Sequence, residues 1–214
     1  MTGPRLPVPA PRLAVLASGE GTNLQAIIDA IGGGRLEAGI AVLVTNRPGC
    51  RAVARARLAG IDVVEVVASR DEPRQCFDAR LTEVLEPYQV DWVILAGWMR
   101  LLSMQFLGAF PGRVVNLHPA LPGCFPGVDA IERAHAAHLD GGSDRTGVMV
   151  HLVPDEGIDD GPVLAVRELT IGIDEPLSSL ERRMHALEHE VLVDVLTSLC
   201  STRSRRRTPD MEER

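Results

Sequence analysis

The chain is 214 residues long, 45% of them hydrophobic and 24% charged, and its formal net charge is −7 at pH 7. This length and composition are typical of one globular domain with a substantial core, and the acidic balance argues against a nucleic-acid-binding surface. All 22 basic residues are arginines, which excludes a Schiff base on a protein lysine and with it the usual attachment of pyridoxal phosphate.

The two ends of the chain differ in composition from its middle. Residues 1–11 are rich in proline and residues 201–214 in charge, so we expect flexible extensions there and one domain over residues 12–200. No apolar run approaches the roughly 18 residues of a membrane helix, and the start lacks the apolar stretch of a secretory signal. The four cysteines are far apart, which indicates reduced thiols in a cytoplasmic protein.

Short apolar or β-branched runs alternate with helical patterns along the middle of the chain. The predicted strands span residues 13–17, 40–44, 63–67, 92–95, 114–117, 147–153 and 163–169. The predicted helices span residues 22–30, 51–59, 74–86, 103–110, 129–138 and 178–199. Strands that are apolar on both faces and are separated by single helices indicate right-handed βαβ units.

This alternation predicts an α/β, Rossmann-like domain with a mostly parallel central sheet of about seven strands and helices on both faces. The last two strands are joined by a loop without a helix, which predicts an antiparallel piece at the end of the sheet. Ligands of such sheets collect at the carboxyl ends of the strands. We therefore expect the loops after strands one, four, five and six to meet at one edge; they span residues 18–24, 96–102, 116–127 and 153–162.

The loop after the first strand, Ser18-Gly-Glu-Gly-Thr-Asn-Leu24, leads directly into a helix. Its glycines let backbone N–H groups approach a ligand and the helix N-terminus adds positive partial charge, as in a phosphate site. Leu24 stands where a dinucleotide fingerprint has its third glycine, and no acidic residue follows the second strand. A small phosphorylated metabolite therefore fits better than NAD or ATP. The alternative is a tight turn capped by Thr22 or Asn23.

The fifth strand ends in Asn116-Leu-His118-Pro, and Asp159 lies in the later loop. Asn116 and His118 are two residues apart on an extended segment, so their side chains point to the same side. An amide can donate to a developing oxyanion, an imidazole moves protons near neutral pH, and a nearby carboxylate raises the imidazole pKa. These residues predict acyl transfer without a metal or a covalent enzyme intermediate.

Chemistry alone leaves alternatives open at this site. Asn116 and His118 could cap a strand end while Asp159 and Asp160 are solvated in a turn, and Asp160 could take the role of Asp159. We expect His151, on an apolar strand, to be a hydrogen-bonded core residue, with a supporting role at the site as the alternative.

Taken in order, these motifs resemble the folate-dependent formyltransferase family, over Leu13 to about Leu199. The segments that carry the resemblance are Ser18-Gly-x-Gly-Thr-Asn-Leu-Gln-Ala-Ile27, Leu95-Ala-Gly-Trp-Met-Arg-Leu-Leu-Ser103, Asn116-Leu-His-Pro-Ala-Leu121, Val150-His-Leu-Val153 and Asp159-x-Gly-Pro162. The resemblance implies a Rossmann-like formyltransferase fold. It implies transfer of formyl from the co-substrate 10-formyltetrahydrofolate to the amine of glycinamide ribonucleotide in purine biosynthesis, by direct amine attack and without a metal. The implied partners are these small molecules, with no nucleic acid or membrane, and the implied assembly is a monomer or homodimer.

The resemblance also assigns roles to residues of this sequence. Asn116, His118 and Asp159 would be catalytic, with Asn116 also facing the folate. The ribonucleotide phosphate and ribose would be bound by Gly21, Thr22, Asn23 and Glu188, and the folate by Arg74, Met99, Arg100, Leu101 and Leu102. The two arginines would meet the folate glutamate carboxylates, a pairing that suits the guanidinium group.

The chain departs from the family pattern around the catalytic loops. Pro122 comes one residue early after His118, the segment from His151 to Asp159 is one residue longer than expected, and Met149 stands where Ser or Thr is common. Two alternatives within the family are a formyltetrahydrofolate hydrolase and a formyltransferase that acts on another amino sugar or nucleotide. Methionyl-tRNA formyltransferase is disfavoured because it adds a C-terminal domain, for which we expect no room here.

A competing signal from another class of enzyme is His185-Ala-Leu-Glu188-His189, which matches the H-x-x-E-H signature of zinc peptidases. The same stretch carries the apolar stripe of a buried helix, and no later helix offers a glutamate as third ligand. A zinc hydrolase is therefore the remote alternative.

Overall fold

The computed structural model describes residues 9–206. Its strands form one seven-stranded sheet in the order β3-β2-β1-β4-β5-β6-β7. The strands are β1 (Arg12–Leu16), β2 (Gly39–Thr45), β3 (Val63–Glu65), β4 (Trp92–Leu95), β5 (Val114–His118), β6 (Arg145–Leu152) and β7 (Val163–Thr170). The helices are α1 (Thr22–Gly32), α2 (Arg51–Leu58), α3 (Arg74–Leu85), α4 (Met104–Leu107), α5 (Ala130–Leu139) and α6 (Leu177–Arg206), with a short 3-10 helix at Glu86–Tyr88. The predicted α/β fold is confirmed.

Helices cover both faces of the sheet because successive strand residues point to opposite sides. In β1, Leu13 and Val15 pack with α1, α2, α5 and α6, whereas Ala14 and Leu16 pack with α3 and α4. Leu13, Ala14, Val15 and Leu16 are all fully buried. The central strand is therefore apolar at all four of its buried positions, as the sequence pattern predicted.

The strands β1 to β5 pair in parallel, whereas β6 is antiparallel to β5 and β7 is antiparallel to β6. The predicted antiparallel piece is confirmed, but it begins one strand earlier than the loop pattern indicated. The carboxyl end of β6 therefore points away from the carboxyl ends of the parallel strands.

The loop after β6 still reaches the predicted edge, because β6 is shifted along β5. Asn116 is opposite His151 and Val115 is opposite Leu152, while Leu95 at the end of β4 is opposite Asn116. Across β5, strand β6 thus ends level with the last residues of β4, and residues 153–162 begin near the carboxyl edge of the sheet. The expected location was correct, although the direction assumed for β6 was wrong.

Two predicted boundaries near the chain ends are also wrong. Pro11 is buried and its carbonyl oxygen accepts a hydrogen bond from Gly39 N at 2.8 Å, so the ordered domain begins before residue 12. Helix α6 continues to Arg206 rather than ending near residue 199. The Ser201 and Thr202 hydroxyls bond to the carbonyls one turn earlier, at 2.8 and 3.0 Å, and arginine is a good helix former. The rest of the predicted extensions, residues 1–8 and 207–214, lies outside the described residues.

Helix α4 is a single turn, shorter than the predicted span of residues 103–110. It ends at Leu107, before Gly108 and a turn that contains Pro111. Glycine and proline are both poor helix residues, so the apolar spacing overestimated its length. Among residues 9–206 no helix is long and apolar enough to cross a bilayer.

The close β6–β7 pairing makes Gly147 sensitive to substitution. A Cβ atom there would lie 2.2 Å from the Arg167 carbonyl oxygen and 2.7 Å from a Leu121 methyl group. We expect Gly147→Ala to lower the free energy of unfolding by about 2 kcal/mol, because a backbone atom of the paired strand must move. Urea unfolding measures the change. Gly39→Ala in β2, where a Cβ meets nothing within 4 Å, is the control, and equal effects of the two variants would contradict the prediction.

Candidate active site

A cavity of about 720 Å³ opens at the carboxyl edge of the parallel strands. Its lining comes from the loops predicted to converge there: Ser18 and Gly19 after β1, residues 97–102 after β4, residues 116–119 and 127–130 after β5, and residues 153 and 155–159 after β6. The sequence therefore identified the edge and the segments that form this cavity.

The Asp159 carboxylate lies at the centre of the polar side chains in the cavity. Asn116 Nδ2 donates to Asp159 Oδ1 at 2.9 Å, and Gly127 N donates to Oδ2 at 2.8 Å. His118 Nδ1 is 3.3 Å from Oδ2, which is ion-pair range but long for a hydrogen bond. Asp160 does not line the cavity. The structure thus joins Asn116 and His118 with Asp159 and not with Asp160.

His151 belongs to the same cluster, which the sequence suggested only as the less favoured alternative. Its Nε2 lies 3.1 Å from Asn116 Nδ2 and 3.5 Å from Asp159 Oδ1, and its Nδ1 lies 2.8 Å from the Leu152 carbonyl oxygen. The ring is only 2% exposed, so it is both a core residue and a neighbour of the cavity. The signal that places it there is the antiparallel register opposite Asn116, which requires knowledge of the strand pairing.

These contacts define how the Asn116 amide is held. When His151 carries its proton on Nδ1 and donates it to the Leu152 carbonyl, Nε2 accepts one amide hydrogen of Asn116. The other amide hydrogen is donated to Asp159. Donation to an oxyanion therefore requires Asn116 to exchange one of these partners for the substrate.

The pKa of His118 is lowered from its usual 6.5, because burial of the ring outweighs the opposing effect of the Asp159 charge. Asp159 does raise the imidazole pKa, as expected, but the sequence did not show that His118 is only 3% exposed, and the effect of this burial is larger. A neutral imidazole at pH 7 can act as a base. The Cys124 carbonyl oxygen lies 3.4 Å from Nε2 and can accept a hydrogen bond from the imidazolium form.

The Asp159 carboxylate is ionised at neutral pH. Burial raises its pKa, but the hydrogen bond from Gly127 and the nearby imidazoles of His151 and His118 lower it more, so the pKa falls below the usual 3.8. The backbone of Asp159 has a φ of 53°, a left-handed conformation that is uncommon outside glycine. The loop therefore fixes one charged group beside both histidines.

The residues assigned to the folate form one wall of the cavity. Met99 and Leu101 are 55% and 48% exposed, and Leu102 is buried beneath them. The Arg100 guanidinium lies 4.2 Å above the Phe77 ring, which holds its stem against helix α3. Arg74 does not line the cavity and instead pairs with Glu156.

The loop assigned to the phosphate is only partly in this cavity. Ser18 and Gly19 line it, whereas Gly21, Thr22, Asn23 and Glu188 do not. Gly21 precedes helix α1 with a φ of 70°, and no side chain caps the helix, so the alternative of a Thr22 or Asn23 cap is not observed. The Ser18 hydroxyl donates to Asn46 Oδ1 at 2.6 Å and accepts from Met99 N at 3.0 Å, which joins the ends of β1, β2 and β4.

The H-x-x-E-H helix is organised differently from a metal site. His185 Nδ1 lies 2.6 Å from Glu188 Oε2, and this contact raises the His185 pKa. Among residues 9–206 no group of three or more histidine, cysteine, aspartate or glutamate side chains is placed to hold a metal ion. The zinc hypothesis therefore gains no support from the described part of the chain.

Comparison with known proteins identifies the family to which this chain belongs. A family model described as formyl transferase matches residues 11–196. The chain belongs to the formyl transferase family. Relatives named phosphoribosylglycinamide formyltransferase include one from Bacillus subtilis, 34% identical over 91% of this chain and 97% of its own, and one from Schizosaccharomyces pombe, 39% identical over 86% and 94%.

Solved structures of formyl transferase family members share the fold. A glycinamide ribonucleotide transformylase from Geobacillus kaustophilus has a TM-score of 0.82 and 44% identity over 89% of this chain and 99% of its own. The corresponding protein from Symbiobacterium toebii has a TM-score of 0.86 and 36% identity over 95% and 94%. The similarity covers nearly the full length of this chain and of both solved chains, so the Rossmann-like formyltransferase fold is confirmed.

The burial and charges around His118 predict its titration. We expect the pKa of His118 to lie below 6.5 and to fall further in Asp159→Asn, because that substitution removes the charge that favours the imidazolium form. Histidine NMR titration of wild type and variant measures both values. His185, held by Glu188, should keep its raised pKa and is an internal reference. A His118 pKa that rises in the variant would contradict this assignment.

Proposed function

We propose that this formyl transferase acts on phosphoribosylglycinamide and transfers the formyl group of 10-formyltetrahydrofolate to its amine. The observation that carries the proposal is the cavity in which Asn116, His118 and Asp159 converge. An amide donor, a proton acceptor and an ionised carboxylate are the groups that attack of an amine on a formyl carbon requires. The names of the relatives support the choice of acceptor, and the polar edge of the sheet supports a small-molecule substrate.

The proposed reaction proceeds through a tetrahedral intermediate without an acyl-enzyme. The substrate amine attacks the formyl carbon, a C–N bond forms, and the carbonyl electrons move to oxygen, where an Asn116 N–H stabilises the negative charge. His118, neutral at pH 7, takes the proton of the attacking amine while Asp159 stabilises the imidazolium. The C–N bond to the folate then breaks, and His118 returns the proton to the departing nitrogen.

The binding roles in this proposal follow the two sides of the cavity. The ribonucleotide phosphate would lie at the loop after β1, against Gly21, Thr22 and Asn23, with Glu188 toward the ribose. The folate would lie against Met99, Arg100, Leu101 and Leu102, and Arg74 and Arg100 would meet its carboxylates. Of the loop after β1, only Ser18 and Gly19 line the cavity, so the phosphate would extend beyond it. No metal has a role in this mechanism.

We further propose that the protein works in the cytoplasm on small molecules alone, as a monomer or homodimer. Cys50, Cys76 and Cys124 are free thiols. A reducing compartment suits that state.

Substitutions in the catalytic cluster provide a direct test of the proposed roles. We expect His118→Ala and Asp159→Asn each to lower kcat by at least about 10²-fold, because proton transfer or its electrostatic support is lost. Absorbance of the folate product, with glycinamide ribonucleotide or water as acceptor, measures the rates and separates transferase from hydrolase. His138→Gln on α5, outside the cavity, is the control. Near-wild-type rates in either catalytic variant would exclude the proposed mechanism.

Gly19 offers a better test of the phosphate loop than Gly21. A Cβ at Gly21 would lie 2.7 Å from Ala52 Cα, so any effect there could come from the protein itself, whereas a Cβ at Gly19 meets nothing within 4 Å. We expect Gly19→Val to raise KM for the ribonucleotide by about tenfold or more and KM for the folate much less, because the side chain occupies the phosphate approach. Steady-state kinetics with each substrate varied measures this. Gly39→Val is the control, and equal changes for both substrates would argue against the phosphate site.

A further inference from the structure

The loop over residues 153–162 carries Asp159 yet contains neither helix nor strand. Its base is closed by a hydrogen bond from Leu152 N to the Pro162 carbonyl oxygen, 2.9 Å long. Asp159 itself has a left-handed backbone, which persists in a non-glycine residue only when the surroundings determine it. Contacts on each side of Asp159 must therefore hold the loop in this shape.

On the C-terminal side the loop is held by close backbone packing. A Cβ at Gly161 would lie 1.9 Å from the Leu152 carbonyl oxygen, so only glycine allows this approach. On the N-terminal side Val153 N donates to the Val114 carbonyl oxygen at 2.9 Å, but the residues that follow are held less closely to the body of the protein, since Ile158 is 45% exposed and Gly157 N donates to Asp155 Oδ1 within the loop. Another contact must hold that side.

Glu156 supplies this contact. Its Oε1 accepts a hydrogen bond from Met104 N at 2.9 Å, and its Oε2 pairs with the Arg74 guanidinium. Met104 begins α4 and Arg74 begins α3, so one carboxylate joins the loop to two helices. In the described structure, Glu156 is the one residue among 154–158 that hydrogen-bonds outside the loop.

We propose that Glu156 is a positioning residue of the active site, which ties residues 153–158 to α3 and α4 and thereby holds Asp159 at His118. This inference rests on the proposed function for its kinetic consequence, but the tether is a property of the chain alone. The side chains of Glu156 and Arg74 are 37% and 35% exposed, so the ion pair is partly screened by water and adds little to global stability. The tether acts instead on loop geometry, to which proton transfer and charge stabilisation are sensitive.

The contacts of Glu156 can be removed in two steps. Glu156→Gln keeps an amide oxygen for Met104 N but loses the ion pair with Arg74, and Glu156→Ala loses both. We expect kcat to fall about threefold in the first variant and at least about tenfold in the second, with KM for the ribonucleotide changed less than about twofold. A graded loss confined to kcat is the result expected of a residue that positions Asp159.

A second measurement does not depend on activity. Because the Asp159 charge favours the imidazolium form of His118, a displaced Asp159 lets the pKa of His118 fall. Histidine NMR titration should show that fall in Glu156→Ala and a smaller one in Glu156→Gln. If the wild type transfers no formyl group but the pKa of His118 falls in both variants, the proposed substrates are wrong and the tether stands.

Glu175 provides a matched control. Its carboxylate also joins a backbone N–H, from Gly172 at 3.0 Å, to an arginine, Arg183 at 2.6 Å, but it lies outside the cavity. Glu175→Gln should leave kcat and the pKa of His118 unchanged. An unchanged kcat and His118 pKa in Glu156→Ala, or equal losses in Glu175→Gln, would overturn the proposal. It would also be overturned if only KM for the folate rose, since Glu156 would then act through Arg74 on substrate binding.

Discussion

The buried carboxylate of Asp159 is the group on which the arrangement of the candidate active site depends. An isolated charge in this position would be unstable, and it is held ionised by hydrogen bonds from Asn116 and Gly127 and by the proximity of two imidazoles. The same contacts orient the Asn116 amide and set the face of His118 that points into the cavity. The contacts that stabilise this one buried charge thus fix the positions of the groups that the proposed reaction uses.

The antiparallel pairing of β6 with β5 is what makes this possible. The position of His151 opposite Asn116 depends on the register of this antiparallel pair. The shifted register places His151 directly across from Asn116 and returns residues 153–162 to the cavity. Such a change of strand direction lets two distant segments supply side chains to one face.

The sequence predicted those features that depend on local pattern and missed those that depend on long-range pairing or burial. Apolar periodicity located every strand within a few residues, and the spacing of Asn116 and His118 predicted their common side. The place of His151 depends on strand register, and the pKa of His118 depends on how deeply the ring is buried, neither of which is encoded in a short motif. Helices α4 and α6 were misjudged at their ends, where turn residues and side-chain hydroxyls compete with propensity.

The apolar rim of the cavity has a consequence for the chemistry. Met99, Leu101, Val128 and Ile158 are between 45% and 65% exposed, which leaves hydrophobic surface in contact with solvent. In the proposed complex the flat rings of the co-substrate cover this apolar wall, so the bound substrates exclude water from the surroundings of the imidazole. Expulsion of water then lowers the local dielectric constant and strengthens the attraction between Asp159 and the imidazolium that forms, so this environment is complete only when the substrates are bound.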